Sequence, residues 1–238
     1  MITVAQEVDR YLESFSRLEA RAAAKEWAWF QAVRRDAMAR FADLGFPTAR
    51  DEDWRFTSVA PIAQTAFAPA PDDGVTPARP QLAPFAFPGL ACSQLVFVNG
   101  RYAPELSSLG PLSAGVTVTS LSQALSAHPD LVEAHLARYA EYHQDAFTAL
   151  NTAFVEDGAF VSVRRGTVLE EPIHLLYLST ETPAPIITHP RNLIVAGENS
   201  QVTVVEDYAS LADGVCFSNA VTEVVVGQNS VLSHYLIE

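Results

Sequence analysis

The chain has 238 residues, 49% of them hydrophobic, enough to bury a sizeable core in one large domain or two modest ones, and this argues against wholesale disorder. Its 15 Lys and Arg stand against 28 Asp and Glu, a formal net charge of −13 that repels phosphate backbones and speaks against a nucleic-acid partner. Glu7, Asp9, Glu13 and Glu19 deny the first residues the role of a signal-peptide core, and no apolar run approaches the roughly 20 residues that span a bilayer. A soluble, cytoplasmic protein without a membrane partner is expected, with Cys92 and Cys216 as free thiols lacking a CxxC spacing.

The first element is an amphipathic helix. Thr3 and Gln6 have capping-box spacing, and Val4, Val8, Tyr11, Leu12, Phe15 and Leu18 follow at helical intervals. A second helix places Phe30, Val33, Ala37, Phe41 and Leu44 on one stripe, with Gly45 at a C′ position and Pro47 beyond it. Residues 1–66 are therefore predicted to be a helical hairpin followed by a Trp-containing segment, and the Pro- and Ala-rich stretch 67–94 to be a linker or surface wrap. In residues 95–156, Leu95–Val98 runs into the turn dipeptide Asn99-Gly100, with Arg101-Tyr102 returning as a hairpin. From Leu121 to Phe154 the pattern is helical again, with Pro129 at a first-turn position and Leu136, Tyr139, Ala146 and Leu150 spaced for a buried face.

From 157 to 238 the pattern is all strand. The runs Phe160–Gly166, Asn192–Gly197 and Val221–Gly227 each end on a glycine, and these glycines are 31 (197 − 166) and 30 (227 − 197) residues apart. Each is followed by a second apolar strand, which gives two strands and two corners per period, the layout of a β-solenoid coil. In GENS and GQNS, Gly tolerates positive φ and Asn199 and Asn229 can enter the left-handed region or stack their amides. Val202 and Leu232 are expected to stack inward in register, and position 204 to lie beside 234. A six-residue repeat fails at its second step, because Ala196 leads to Val202 and then Tyr208, and Val226 to Leu232 and then Glu238. The expected fold class is α+β: an N-terminal helical domain followed by a right-handed parallel β-helix (β-solenoid), truncated at the C-terminus because the chain ends at Glu238 inside a strand.

The sequence contains no nucleotide-binding loop, GxGxxG, HExxH or GxSxG, so no catalytic residue is assigned. His135, Tyr139 and His143 fall four apart on the expected helix, but two turns separate the histidines and a partly exposed helix face accounts for them. Glu206, Asp207 and His234 suggest an acid-base group, yet alternation sends Glu206 and Asp207 to opposite faces. Cys216 in GVCFSN is the candidate thiolate for an iron-sulfur cluster; one cysteine cannot hold a cluster, so further ligands would come from another chain, and burial as a small hydrophobe is the alternative. Trp27, Trp29 and Trp54 fit core packing or a contact surface.

The segments GFPTARDEDWRFT, LVFVNGRYAPELSSL, HPDLVEAHLARYA, DAFTALNTAFVEDGAFVSV, EPIHLLYLS and HPRNLIVAGENSQVTVVEDY occur in this order over nearly the whole chain. Together they resemble the SufB/SufD family of the SUF iron-sulfur cluster assembly machinery, on its SufD side. The resemblance implies a non-enzymatic scaffold subunit that pairs with a SufB-like subunit and carries a SufC-like ATPase. It implies that this chain alone binds no cofactor, while a cluster and a reduced flavin belong to the assembled complex. It further implies that the SufC-docking region and the family's interface histidine lie beyond residue 238, so none of the six histidines here takes that role. The competing expectations are a secreted-type parallel β-helix carbohydrate enzyme and a generic protein-interaction module.

Overall fold

The computed structural model describes residues 4–22, 28–71 and 76–238. Helix α1 (Val4–Ala22) buries Val8, Tyr11, Phe15 and Leu18, as its spacing predicts, whereas Leu12 remains 39% exposed. Helix α2 (Ala28–Leu44) buries Phe30, Ala37 and Phe41, with Arg34 and Met38 joining its inner face; Leu44 packs partly buried against the same core, and Val33 is half-buried. It stops at Gly45, whose φ of 64° lets its N–H reach the Phe41 carbonyl at 2.8 Å. The capping box expected of Thr3 and Gln6, and Trp27, lie outside the described residues.

A short helix α3 (Ala60–Gln64) and strand β1 (Ala68–Pro69) precede a 3₁₀ turn over Arg79–Phe85, so the expected linker carries structure. Strand β2 (Ser93–Val98) reverses at Asn99-Gly100, with φ of 49° and 80°, into the antiparallel β3 (Arg101–Tyr102), as the dipeptide predicts. Strand β4 (Val116–Ser120) leads into α4 (Leu121–Ala127), α5 (Pro129–His135) and α6 (Ala146–Phe154). The continuous helical pattern is thus broken twice. Pro129 starts α5 afresh, and Ala137 takes a φ of 59° that ends the helical path. Strands β5 (Ala159–Val163), β6 (Ile173–Ser179), β7 (Ile186–Thr188), β8 (Arg191–Ala196), β9 (Gln201–Ser210), β10 (Cys216–Ser218), β11 (Val221–Val226) and β12 (Val231–Ile237) complete the described chain.

Among the described residues the strands form three sheets, in the orders β11-β8-β5-β4, β12-β9-β6-β2-β3 and β1-β7-β10. The thirty-residue echo is a real register: Leu232 lies beside Val202, His234 beside Val204 and Cys216 beside Ile186. Each period, however, holds a third strand, β7 or β10, that the two-strand reading lacks. The fold class also needs correction. Strands β4 and β5 pair antiparallel, as do β2 and β3, so two of the three sheets are mixed. A single-handed coil never reverses its strands, and the chain is α/β with mixed sheets rather than α+β with a right-handed parallel β-helix.

The corners divide their work between two residues. A Cβ on Gly197 would lie 2.6 Å from the Arg165 nitrogen and one on Gly227 2.6 Å from that of Glu198, so glycine permits close backbone approach there. The left-handed backbone falls instead to Asn199 and Asn229, at φ of 56° and 57°, and Asn229 Nδ2 donates to Asn199 Oδ1 at 3.3 Å.

Between the first two sheets, Val161, Leu175, Ile194 and Val204 are fully buried, each contributing roughly 1.5–3 kcal/mol. Leu121 and Leu136 cover Phe160 and Leu193 on the outside of the first sheet, and Leu82 covers Val96 and Leu176 on the outside of the second. The third sheet presents Ile187 to a helical layer in which α1, α2 and α6 pack around Phe41.

Candidate functional site

Strand alternation sorts the buried polar side chains into two sets, one between the sheets and one outside them. The inner set centres on Glu206, whose side chain is 4% exposed. Tyr208 donates to its Oε1 at 2.6 Å, Thr222 to Oε2 at 2.8 Å, and His234 Nε2 meets Oε2 at 2.8 Å. Asn192 extends the network by donating to Thr222 at 3.1 Å while accepting from Ala159 N–H and from the Tyr177 hydroxyl. Burial alone would raise the Glu206 carboxyl, but the bonds from His234, Tyr208 and Thr222 outweigh it and hold the group below its ordinary value. His234 is raised by its bond to Glu206, against the opposing effect of burial. A carboxylate with these donors holds an imidazolium in place and has little capacity left to act as a base.

The sign of the pH dependence follows from these shifts. The raised His234 contributes stability that is complete below its ordinary value of 6.5 and fades as pH climbs through its folded value. The lowered Glu206 contributes stability present above its ordinary value of 4.5 and lost as pH falls through its folded value. The stability gap between the native protein and His234→Gln should therefore be widest at about pH 4.5–6.5 and shrink by pH 9, measured from urea midpoints. A gap of the same size at pH 5.5 and pH 9 would rule out this ion pair.

Asp207 points the other way. It meets His174 Nε2 at 3.3 Å, while His174 Nδ1 lies 2.9 Å from the Gln94 amide and its ring lies against Phe87 at 4.7 Å. Glu206 and Asp207 thus occupy opposite faces of β9, as alternation requires, and make no common acid-base site. Burial lowers His174, with the Asp207 bond acting against it.

The most enclosed charges lie outside the first sheet. Arg191 and Glu223, with side chains 1% and 0% exposed, pair at 2.8 Å. Arg191 Nη1 also donates to Asn151 Oδ1 at 3.0 Å and Thr152 Oγ1 at 3.1 Å on α6. Glu223 accepts the backbone N–H groups of Ala137, Arg138, Tyr139 and Ala140 at 2.8–3.2 Å, which explains why the helix breaks there. Burial would raise Glu223, but Arg191 and those N–H groups pull it below its ordinary value. Sequence reasoning missed this pair; the available signal was a lone acid in the apolar strand VTEVVV and a lone Arg in RNLIVA.

The other candidates do not converge. Helix α5 ends at His135, whose Nδ1 lies 2.7 Å from the Tyr139 hydroxyl, while His143 sits 4.0 Å from Asp36. Cys216 is exposed at the start of β10 rather than buried, and Cys92 is half-buried, its thiol raised by burial and by Glu171. Trp54 packs beside Phe147 at 5.1 Å and Trp29 beside Phe30 at 5.3 Å, both partly buried. Among the described residues no three His, Cys, Asp or Glu side chains are placed to hold a metal ion. No helix among them is long and apolar enough to cross a membrane.

Two family models match the chain in succession: the SufBD protein N-terminal region over residues 5–175, and the SufBD core domain of SUF system FeS cluster assembly over residues 178–238. An iron-sulfur cluster assembly SufBD family protein of Synechocystis is 32% identical over 96% of this chain and 51% of its own length. The iron-sulfur cluster assembly protein SufD of Bacillus subtilis is 26% identical over 96% of this chain and 51% of its own. SufD of Escherichia coli is 26% identical over 80% of this chain and 42% of its own. The chain spans about half the length of the curated relatives it matches. With both family regions present in order, and the first alone covering well over half of the residues, the chain belongs to the SufB/SufD family of iron-sulfur cluster assembly proteins.

Proposed function

We propose that this chain serves as part of a non-catalytic scaffold subunit of SufD type, which pairs with a SufB-like subunit and a SufC-like ATPase in the cytoplasm. The observation that carries the reading is the succession of both SufBD regions over residues 5–175 and 178–238. The chemistry of the buried polar groups supports it. Glu206, Asp207, Arg191 and Glu223 are engaged with partners inside the fold, which suits a framework better than a reaction centre. The cluster is cargo of the assembled complex, and reduced flavin is engaged there rather than by this chain alone. Exposed Cys216 could meet a cluster only together with ligands from another subunit.

A carbohydrate-active site would want two carboxylates facing one groove, and here Glu206 and Asp207 face apart. Co-expression of the full-length gene with SufB-like and SufC-like subunits tests the proposal. A stable complex recovered through a tag on any one member is the expected result, and recovery of this protein alone at every ionic strength would overturn it.

A further inference from the structure

Glu7 lies on the inner face of α1 and is only 7% exposed, yet among the described residues its carboxylate has no hydrogen-bond or ion-pair partner. The other buried charges are engaged: Arg34 donates to the Val155 carbonyl, and Arg191, Glu206, Asp207 and Glu223 are bonded as described above. Arg10, one turn along from Glu7, is committed elsewhere, its Nη2 donating to the Ala63 carbonyl at 2.9 Å. A buried charge left without a counter-charge is costly, so a group from outside the fold is expected to complete it.

The unpaired Tyr11 hydroxyl and His189 Nε2 are sealed inside the packing, whereas the Glu7 carboxylate opens on a cavity. This cavity, of about 270 Å³, lies between the start of α1, the chain that leaves α2, and helix α3, near the lower end of the range for small-ligand clefts. Its floor is buried, at Glu7, Phe46, Val59 and Ala63, and its rim is exposed, at Thr48, Ser58 and Gln64. Among the described residues that line it, Glu7 alone is charged. Asp51 places a second negative group beside the rim, where its Oδ2 accepts the Thr48 N–H at 2.7 Å and the Thr48 hydroxyl at 3.1 Å.

We propose that this cavity binds an organic cation that carries N–H donors on a short apolar stem. The cation donates to the Glu7 carboxylate, and the stem lies along Phe46, Val59 and Ala63. A carboxylate ligand would be repelled by Glu7, and a neutral alcohol would leave its charge uncompensated. A bare metal ion would want several oxygen donors, where the floor offers one carboxylate among apolar walls. A free amine and a lysine side chain of another protein present the same group to this site.

Butylamine, butanol and butyrate, titrated separately into the purified full-length protein at pH 7 and followed by calorimetry, test the proposal. Butylammonium is expected to bind roughly tenfold or more tightly than either of the others. Glu7→Gln should erase that preference while leaving the butanol affinity and the melting curve in place, because it removes a buried charge that has no partner to lose. Gln64→Glu, on the exposed rim, should tighten butylammonium roughly twofold or more. Nα-acetyl-lysine N-methylamide separates the two sources: tighter binding than butylamine assigns the site to a lysine side chain of another protein, and weaker binding to a free amine. No binding of butylammonium, equal binding of the first three probes, or an unchanged preference in Glu7→Gln would overturn the assignment, and none of these outcomes bears on complex formation with SUF partners.

Discussion

Glu223→Gln is expected to destabilise the protein by about 3–5 kcal/mol, the usual cost of leaving one member of a buried ion pair without its counter-charge. Arg191 is 1% exposed and cannot turn to water; after the substitution its guanidinium keeps Asn151 and Thr152 but loses the carboxylate. The substituted amide retains a carbonyl oxygen for some of the N–H groups of Ala137 to Ala140, so Glu223→Ala should cost more than Glu223→Gln. Urea unfolding at pH 7 gives both values. A loss below about 1 kcal/mol for Glu223→Gln would mean that water reaches Arg191 and that the pair is not sealed.

Phe41→Ala should cost a similar amount, about 3–5 kcal/mol, for a different reason. Phe41 is fully buried and meets the rings of Tyr11 at 5.5 Å and Phe46 at 5.2 Å, so its removal leaves a hole lined by aromatic edges that cannot collapse into it. Leu12, 39% exposed on the outer side of α1, provides the contrast: Leu12→Ala should stay within about 0.5 kcal/mol of the parent. Similar losses in the two variants would show that the helical layer is not packed around Phe41.

Residues whose structure is settled by near neighbours were readable in the sequence. Asn99-Gly100 specifies a tight turn by its own backbone preferences, and the hairpin is there. Gly197 with Asn199, echoed by Gly227 with Asn229, announced the thirty-residue register, although the reason for glycine proved to be close backbone approach rather than positive φ. Strands β7 and β10 escaped because three residues are too few to show alternation. The mixed first sheet escaped because β4, its antiparallel member, belongs to the segment before the repeat and carries no sign of its distant partner β5; in the second sheet the β2–β3 hairpin was legible, but not that β2 also joins β6. Of the candidate groups, the opposed faces of Glu206 and Asp207 followed from period-two geometry, and the nearness of His234 from the repeat. The break after α5 did not, because what stabilises it is a carboxylate 86 residues further along.

That separation bears on the order in which the molecule comes together during synthesis. The N–H groups of Ala137 to Ala140 leave the ribosome long before Glu223 does, and until it arrives they have only water to satisfy them. Helix α6 can form early, but the bend that precedes it can settle only after β11 has joined β8. Strand β11 thus locks a bend between α5 and α6 that was made before it, and a nascent chain halted before residue 223 carries that bend unlocked.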